Sequence, residues 1–175
     1  MLALHGSPGS GKTTLSRVMA LALREADVPH AVVDLDDLAM VYPEQPRSFA
    51  RENLRAVWPN FAGIPGLRLI VPTVLADEAE VHELRAVVPG CRLIVCELTA
   101  PEHVLKERVM AREPDDYWQR RLCAFVDLFH SRDDLGRIRD FQVSTHNRSE
   151  EDAALEVAGR AGWVYVTVRA GRKVA

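Results

Sequence analysis

Short apolar runs alternate with amphipathic stretches along the whole of this 175-residue chain. The runs are nearly continuous in Val, Ile and Leu rather than alternating, which predicts strands buried on both faces. The first covers residues 2–5. A helix is expected over 12–25, with Leu15, Val18, Met19 and Ala22 on one face and Pro29 beyond its end. A strand over 30–34 follows, then a helix over 47–58 that stops at Pro59. The third strand spans 67–75, interrupted by Pro72, and leads to a helix over 77–88 with Asp77 at its start. After a fourth strand over 92–98, Thr99-Ala100-Pro101-Glu102 predicts a capping box opening a helix to about Arg112. A helix over 117–130 spaces Trp118, Leu122, Phe125 and Phe129 along one face. A fifth strand over 141–145, a helix capped by Ser149 and reaching 161, and a last strand over 163–168 complete the pattern.

Strands separated by helices make a parallel sheet covered on both faces, with right-handed crossovers. Ligands bind such sheets at the carboxyl ends of the strands. Residues 6–13, 34–37, the end of the third strand and 145–148 are therefore expected along one edge. The length fits a single domain over 1–175.

The segment between the first strand and first helix reads Gly6-Ser7-Pro8-Gly9-Ser10-Gly11-Lys12-Thr13, a complete G-x-x-x-x-G-K-[ST] phosphate-binding loop. Its glycines let successive N–H groups curl round a polyphosphate, and the following helix adds its positive end. Thr14, in the first turn of that helix, is expected to join the nucleotide site. Lys12 is expected to reach the β- and γ-phosphates, and the Thr13 hydroxyl to bind Mg²⁺. Only Lys12, Lys106 and Lys173 are lysines among 22 basic residues, so lysine here is not background.

The second strand ends in Asp34-Leu35-Asp36-Asp37. Two carboxylates beside a γ-phosphate can hold Mg²⁺ or accept the proton of an attacking hydroxyl. Asp37 is expected to cap a helix. The third strand ends in Pro72-Thr73-Val74 without a magnesium carboxylate. That shifts the metal role to Asp34 or Asp36 and weighs against a motor or AAA-type ATPase. Lys106, Arg108 and Arg112, then Arg120 and Arg121, supply positive charge for phosphoryl transfer from a segment near 112–135 that could close as a lid. Residues 43–66 hold Arg47, Arg51, Trp58 and Phe61, where a second, anionic or polyhydroxylated substrate would bind.

Net charge of −3 and the lack of a basic helix face weigh against nucleic acid, and no apolar run is long enough to span a membrane. Cys91, Cys96 and Cys123 lack metal or redox spacing and are expected to be reduced core residues. The chain enters its first strand at once, leaving no room for a targeting peptide, so a cytoplasmic location is expected.

Together these motifs resemble the small P-loop kinases of the AAA-type P-loop NTPase superfamily: shikimate kinase-like, gluconate kinase-like and chloramphenicol phosphotransferase-like proteins, with nucleoside monophosphate kinases as cousins. The resemblance implies a three-layer α/β fold, a five-stranded 2-3-1-4-5 sheet with a short helical lid, and ATP with Mg²⁺. It implies Asp36 as the base toward the acceptor hydroxyl and Thr13 with Asp34 on the metal. It also implies Arg108 near adenine, Arg112 on phosphate, and Asn147 and Arg148 beside the base. The glycine triplet by which shikimate kinases hold their acceptor is missing. The expected activity is transfer of the γ-phosphate of ATP to a hydroxyl of a small metabolite or natural product. A nucleoside or nucleotide kinase and a nucleotide-binding regulatory module are the alternatives, and both monomer and homodimer stay open.

Overall fold

The central strand, β1 (Leu2–His5), is buried along its whole length, and its side chains divide between two hydrophobic layers. Leu2 and Leu4 pack with Leu15, Met19 and Leu23 of α1 (Lys12–Glu25) and with Ala154 and Val157 of α8 (Glu150–Arg160). Ala3 faces the other way, toward Ala50 and Leu54 of α3 (Ser48–Ala62) and Val81, Leu84 and Val87 of α4 (Glu78–Val87). This two-sided burial is why the strands read as unbroken apolar runs.

A computed structural model describes residues 1–163. Around β1 stand β2 (His30–Val32), β3 (Arg68–Pro72), β4 (Ile94–Thr99) and β5 (Phe141–Ser144), all parallel, in the order β2-β3-β1-β4-β5. The expected α/β fold and strand order are thus present. Beside the sheet, α5 (Glu102–Arg112) and α6 (Asp116–His130) form a hairpin over a separate small core of Leu105, Val109 and Val126. No helix among the described residues is long and apolar enough to cross a membrane.

Several boundaries differ from expectation for local reasons. β2 stops at Val32 because the Asp34 carboxylate accepts the Asp36 N–H at 3.1 Å and turns the chain into a short helix, α2 (Leu35–Leu38). Asp34, not Asp37, is therefore the cap. α3 runs through Pro59 to Ala62, since the proline sits in its last turn, where only one backbone bond is forfeited. β3 ends at Pro72 because the Leu75 N–H turns inward to His5 Nδ1 at 3.0 Å. The capping box at Thr99 does not form. Thr99 belongs to β4 and gives its carbonyl to the Thr145 N–H, while Pro101 starts α5 without a side-chain cap. A short α7 (Leu135–Ile138) was not foreseen. The last expected strand lies outside the described residues from 164 onward. Cys96 is buried, and burial pushes its thiol up to about 12, so it is inert core.

Candidate active site

The carboxyl ends of β1, β2, β3 and β5 bring the predicted motifs to one edge of the sheet. Gly9 packs against α5: its φ is 77°, and a Cβ would lie 2.6 Å from the Leu105 carbonyl oxygen. Gly11, at φ 90°, has nothing within 4 Å of the same position and opens onto the surface where α1 begins. α1 starts there with no side-chain cap and no acidic residue in its first turn. Its leading N–H groups and positive end are thus left for an anion. Lys12 Nζ lies over the loop, donating to Gly6 O at 2.8 Å and Ser7 O at 3.2 Å. Burial lowers its pKa to about 8, opposed by Asp36 and Asp34 and assisted by Arg112. Gly6, Ser7 and Ser10 support the loop from behind. The two serine hydroxyls are buried without a partner among the described residues.

Two cavities meet over this loop. The larger, about 370 Å³, is bounded by Lys12 and Thr13, by Asp36 of α2, by Arg47 and Arg51 at the start of α3, by Thr73 after β3, and by Arg121, Leu122 and Phe125 of α6. The smaller, about 360 Å³, lies between the loop and Arg108, Thr145, Arg148 and Ser149. Gly9, Gly11, Thr14 and Arg112 border both, so the loop and one arginine stand at the junction.

Thr13 and Asp34 are already paired, the hydroxyl donating to Asp34 Oδ2 at 3.1 Å. Burial raises the Asp34 pKa, and the bonds from the Asp36 N–H and the Thr13 hydroxyl oppose the rise. The Asp36 carboxylate borders the larger cavity and accepts no hydrogen bond among the described residues. The Asp34 carboxylate is thus held in place, and the Asp36 carboxylate is left unpaired among the described residues. No three His, Cys, Asp or Glu side chains converge on a metal position among the described residues. A divalent cation here would take Thr13 and Asp34 together with oxygens of its own phosphate ligand.

Arg108 is hydrogen-bonded to the loop and to Thr145. It donates to Gly9 O at 3.2 Å, to Thr145 Oγ1 at 3.0 Å and to Thr145 O at 2.9 Å, while Thr145 Oγ1 in turn donates to Ser10 O at 3.2 Å. Among the described residues Arg112 bonds only to the neighbouring Glu113, at 2.8 Å, and it is largely exposed. Arg148 borders the smaller cavity and is held by Glu156 and the Asp152 carbonyl. Asn147 does not border it. Its backbone takes φ 54° to make the turn, leaving the side chain exposed.

The expected acceptor segment divides. Arg47 and Arg51 lie at the cavity, whereas Trp58 does not. Trp58 packs on the core under α4 and donates to Pro89 O at 3.3 Å, toward the far end of the sheet. Seven residues of helix carry it roughly 10 Å from Arg51. Phe61 is likewise absent from both cavity walls, and Leu122 and Phe125 provide the apolar surface instead.

Sequence reading missed Glu80. Its carboxylate binds Arg47 through Nε and Nη2, both at 2.9 Å, binds Arg51 at 3.1 Å, and accepts the Ala76 N–H at 2.7 Å. Burial alone would raise its pKa. The Arg47 bonds, the Ala76 N–H and the two positive charges outweigh burial and hold it at about 2. Asp77-Glu78-Ala79-Glu80 has the spacing of a capping box, which explains Glu80 without any site. Arg132 was also missed. It donates to Leu75 O at 2.9 Å and Ala76 O at 2.7 Å, tying the end of α6 to the loop that follows β3.

A family model described as AAA domain matches residues 1–123, from β1 into α6. No curated protein matches the sequence. Solved structures do match in fold. Shikimate kinase from Acinetobacter baumannii, in complex with shikimate, is 19% identical at a TM-score of 0.58, covering 91% of each chain. A gluconokinase from Sinorhizobium meliloti is 22% identical at 0.62, covering 92% of this chain and 91% of its own. The APS kinase of Mycobacterium tuberculosis, in complex with AMPPNP and APS, is 20% identical at 0.64, covering 92% and 96%. At these identities the likeness is one of fold.

Proposed function

Starting from a chain that belongs to the AAA domain family, we propose that it is a phosphotransferase moving the γ-phosphate of ATP to a hydroxyl of a small acceptor. The observation that carries this reading is the pair of cavities meeting over the phosphate loop, with Arg112 on both and, in the larger, the Asp36 carboxylate, unpartnered among the described residues. A nucleotide-binding module without chemistry has no use for a second cavity that opens on the same phosphate position. That three kinases share the fold supports the same reading.

The smaller cavity would take the nucleoside, with Arg108 and Thr145 as its inner wall. The larger would take the acceptor. The loop N–H groups and Lys12 would bind the β- and γ-phosphates, and Lys12 would exchange its bonds to Gly6 and Ser7 for bonds to phosphate oxygens. Thr13 and Asp34 would hold Mg²⁺, which supplies neutralisation of phosphate charge. Asp36 takes the proton of the acceptor hydroxyl as the new P–O bond forms and the bond from the γ-phosphorus to the bridging oxygen breaks, releasing ADP. Arg112 stabilises the charge on the moving group from the junction.

The test is ADP release from Mg·ATP across a panel of small hydroxylated compounds. Acceptor-dependent release that disappears in Lys12→Met is expected. Nucleotide binding with no release for any acceptor would end the reading.

A further inference from the structure

The acceptor end of the larger cavity carries two guanidinium groups, and their charge is already met. Glu80, 8% exposed, sits behind Arg47 and Arg51 and binds both. Arg51 has a second partner in Glu83, at 2.6 Å. Two cations and two carboxylates therefore sum to zero at this end. Arg47 also gives Nη2 to the Val74 carbonyl at 3.0 Å, so among the described residues only its Nη1 is uncommitted. The rest of the wall mixes apolar side chains, Leu35, Ala39, Ala50, Leu122 and Phe125, with the oppositely charged Asp36 and Arg121, while Lys12 and Arg112 stand at its phosphate end.

We propose that Glu80 sets the acceptor class. By neutralising Arg47 and Arg51 from behind, it makes this end of the cavity fit an uncharged, hydroxyl-bearing molecule with an apolar body, and it disfavours a carboxylated or phosphorylated one. For its substrate the proposal rests on the phosphotransferase reading. Its charge balance stands independently of that reading.

An anion entering here would have to compete with two carboxylates for the same guanidinium forks. One of those carboxylates is fixed by four hydrogen bonds and cannot swing away. A neutral polyol is not repelled by those carboxylates. It can accept from the remaining guanidinium N–H groups while its apolar part lies against Leu122 and Phe125. Glu80 acts through Arg47 and Arg51 and is therefore a positioning residue with a specificity role.

Sulfate is the direct probe. It is titrated by calorimetry into wild type and Glu80→Gln, each saturated with Mg²⁺ and a non-hydrolysable ATP analogue so that the phosphate loop is filled. Glu80→Gln is expected to bind sulfate at least about tenfold tighter than wild type. Equal affinity would overturn the proposal. In parallel, one hydroxylated series is assayed for ADP formation as its neutral, carboxylated and phosphorylated members. Wild type is expected to favour the neutral member by at least about tenfold in kcat/KM. Glu80→Gln is expected to narrow that preference through the KM of the charged members. A wild-type preference for a charged member would overturn the proposal. If Glu80→Gln does not fold, Glu83→Gln, which alters a carboxylate 55% exposed, decides by the same sulfate comparison. Absence of ADP with every compound would end the phosphotransferase reading instead, and the sulfate titration would still decide the charge balance.

Discussion

Lys12 shows how a single residue carries both a motif and an environment. Burial lowers its pKa to about 8 in the free protein. A polyphosphate binds the ammonium form and raises that pKa, so nucleotide binding above pH 8 must take up a proton. Nucleotide affinity is therefore expected to be flat below about pH 7 and to weaken steadily from pH 8 to pH 10, as read by titration of a fluorescent ATP analogue. Affinity unchanged across that range would mean that Lys12 does not meet the phosphates. Gly9 makes a different residue-scale point. A methyl group there collides with the Leu105 backbone at a φ that L-residues avoid. Gly9→Ala is expected to lower the thermal midpoint and to weaken nucleotide binding together, because loop and α5 must part. A variant with wild-type stability and affinity would show that the contact is slack. The loop itself was fully legible in sequence, since an octapeptide states its own geometry. That Ser7 and Ser10 turn inward was not, because hydroxyls suit a phosphate and a loop interior equally well.

At the scale of elements, the site depends on how helix starts meet strand ends. The Asp34 cap makes α2, and α2 aims Asp36 into the cavity. Period and polarity identified α1, α4 and α8 closely, but only the family resemblance told Asp34 from Asp36, and the cap gives that difference a geometry. Glu80 was hidden for the same reason, being one more carboxylate in the first turn of a helix. Its pKa of about 2 lies below the usual glutamate value, so its contribution to folding is complete above about pH 4.5 and disappears as pH falls toward 2. The shift corresponds to roughly 3 kcal/mol. Glu80→Gln is expected to be less stable than wild type at pH 7, with the gap narrowing below about pH 4.5 and closing as pH falls toward 2 in thermal melts. A gap independent of pH would show that shape rather than charge holds Arg47 and Arg51. Trp58 failed as a site residue because residue type alone could not tell an aromatic that lines a pocket from one that packs on the core. Its place seven positions down α3 from Arg51 decided that.

At the scale of the molecule, the alternation of strands and helices implied a parallel sheet, the family resemblance implied its order, and that order brings four separate motifs to one edge. The division into two cavities could not be read from the sequence. It depends on α5 and α6 folding back over the loop around their own small core. That division makes the donor and acceptor halves separable, and the separation is the central claim. It is tested most directly by transfer of labelled γ-phosphate from ATP to an active acceptor in wild type and Asp36→Asn, with ATP affinity measured on the same samples. The expected result is ATP affinity within about twofold of wild type and kcat lower by at least about 100-fold. Undiminished kcat in Asp36→Asn would contradict the role of Asp36, and loss of ATP binding in that variant would contradict the separation of the two halves.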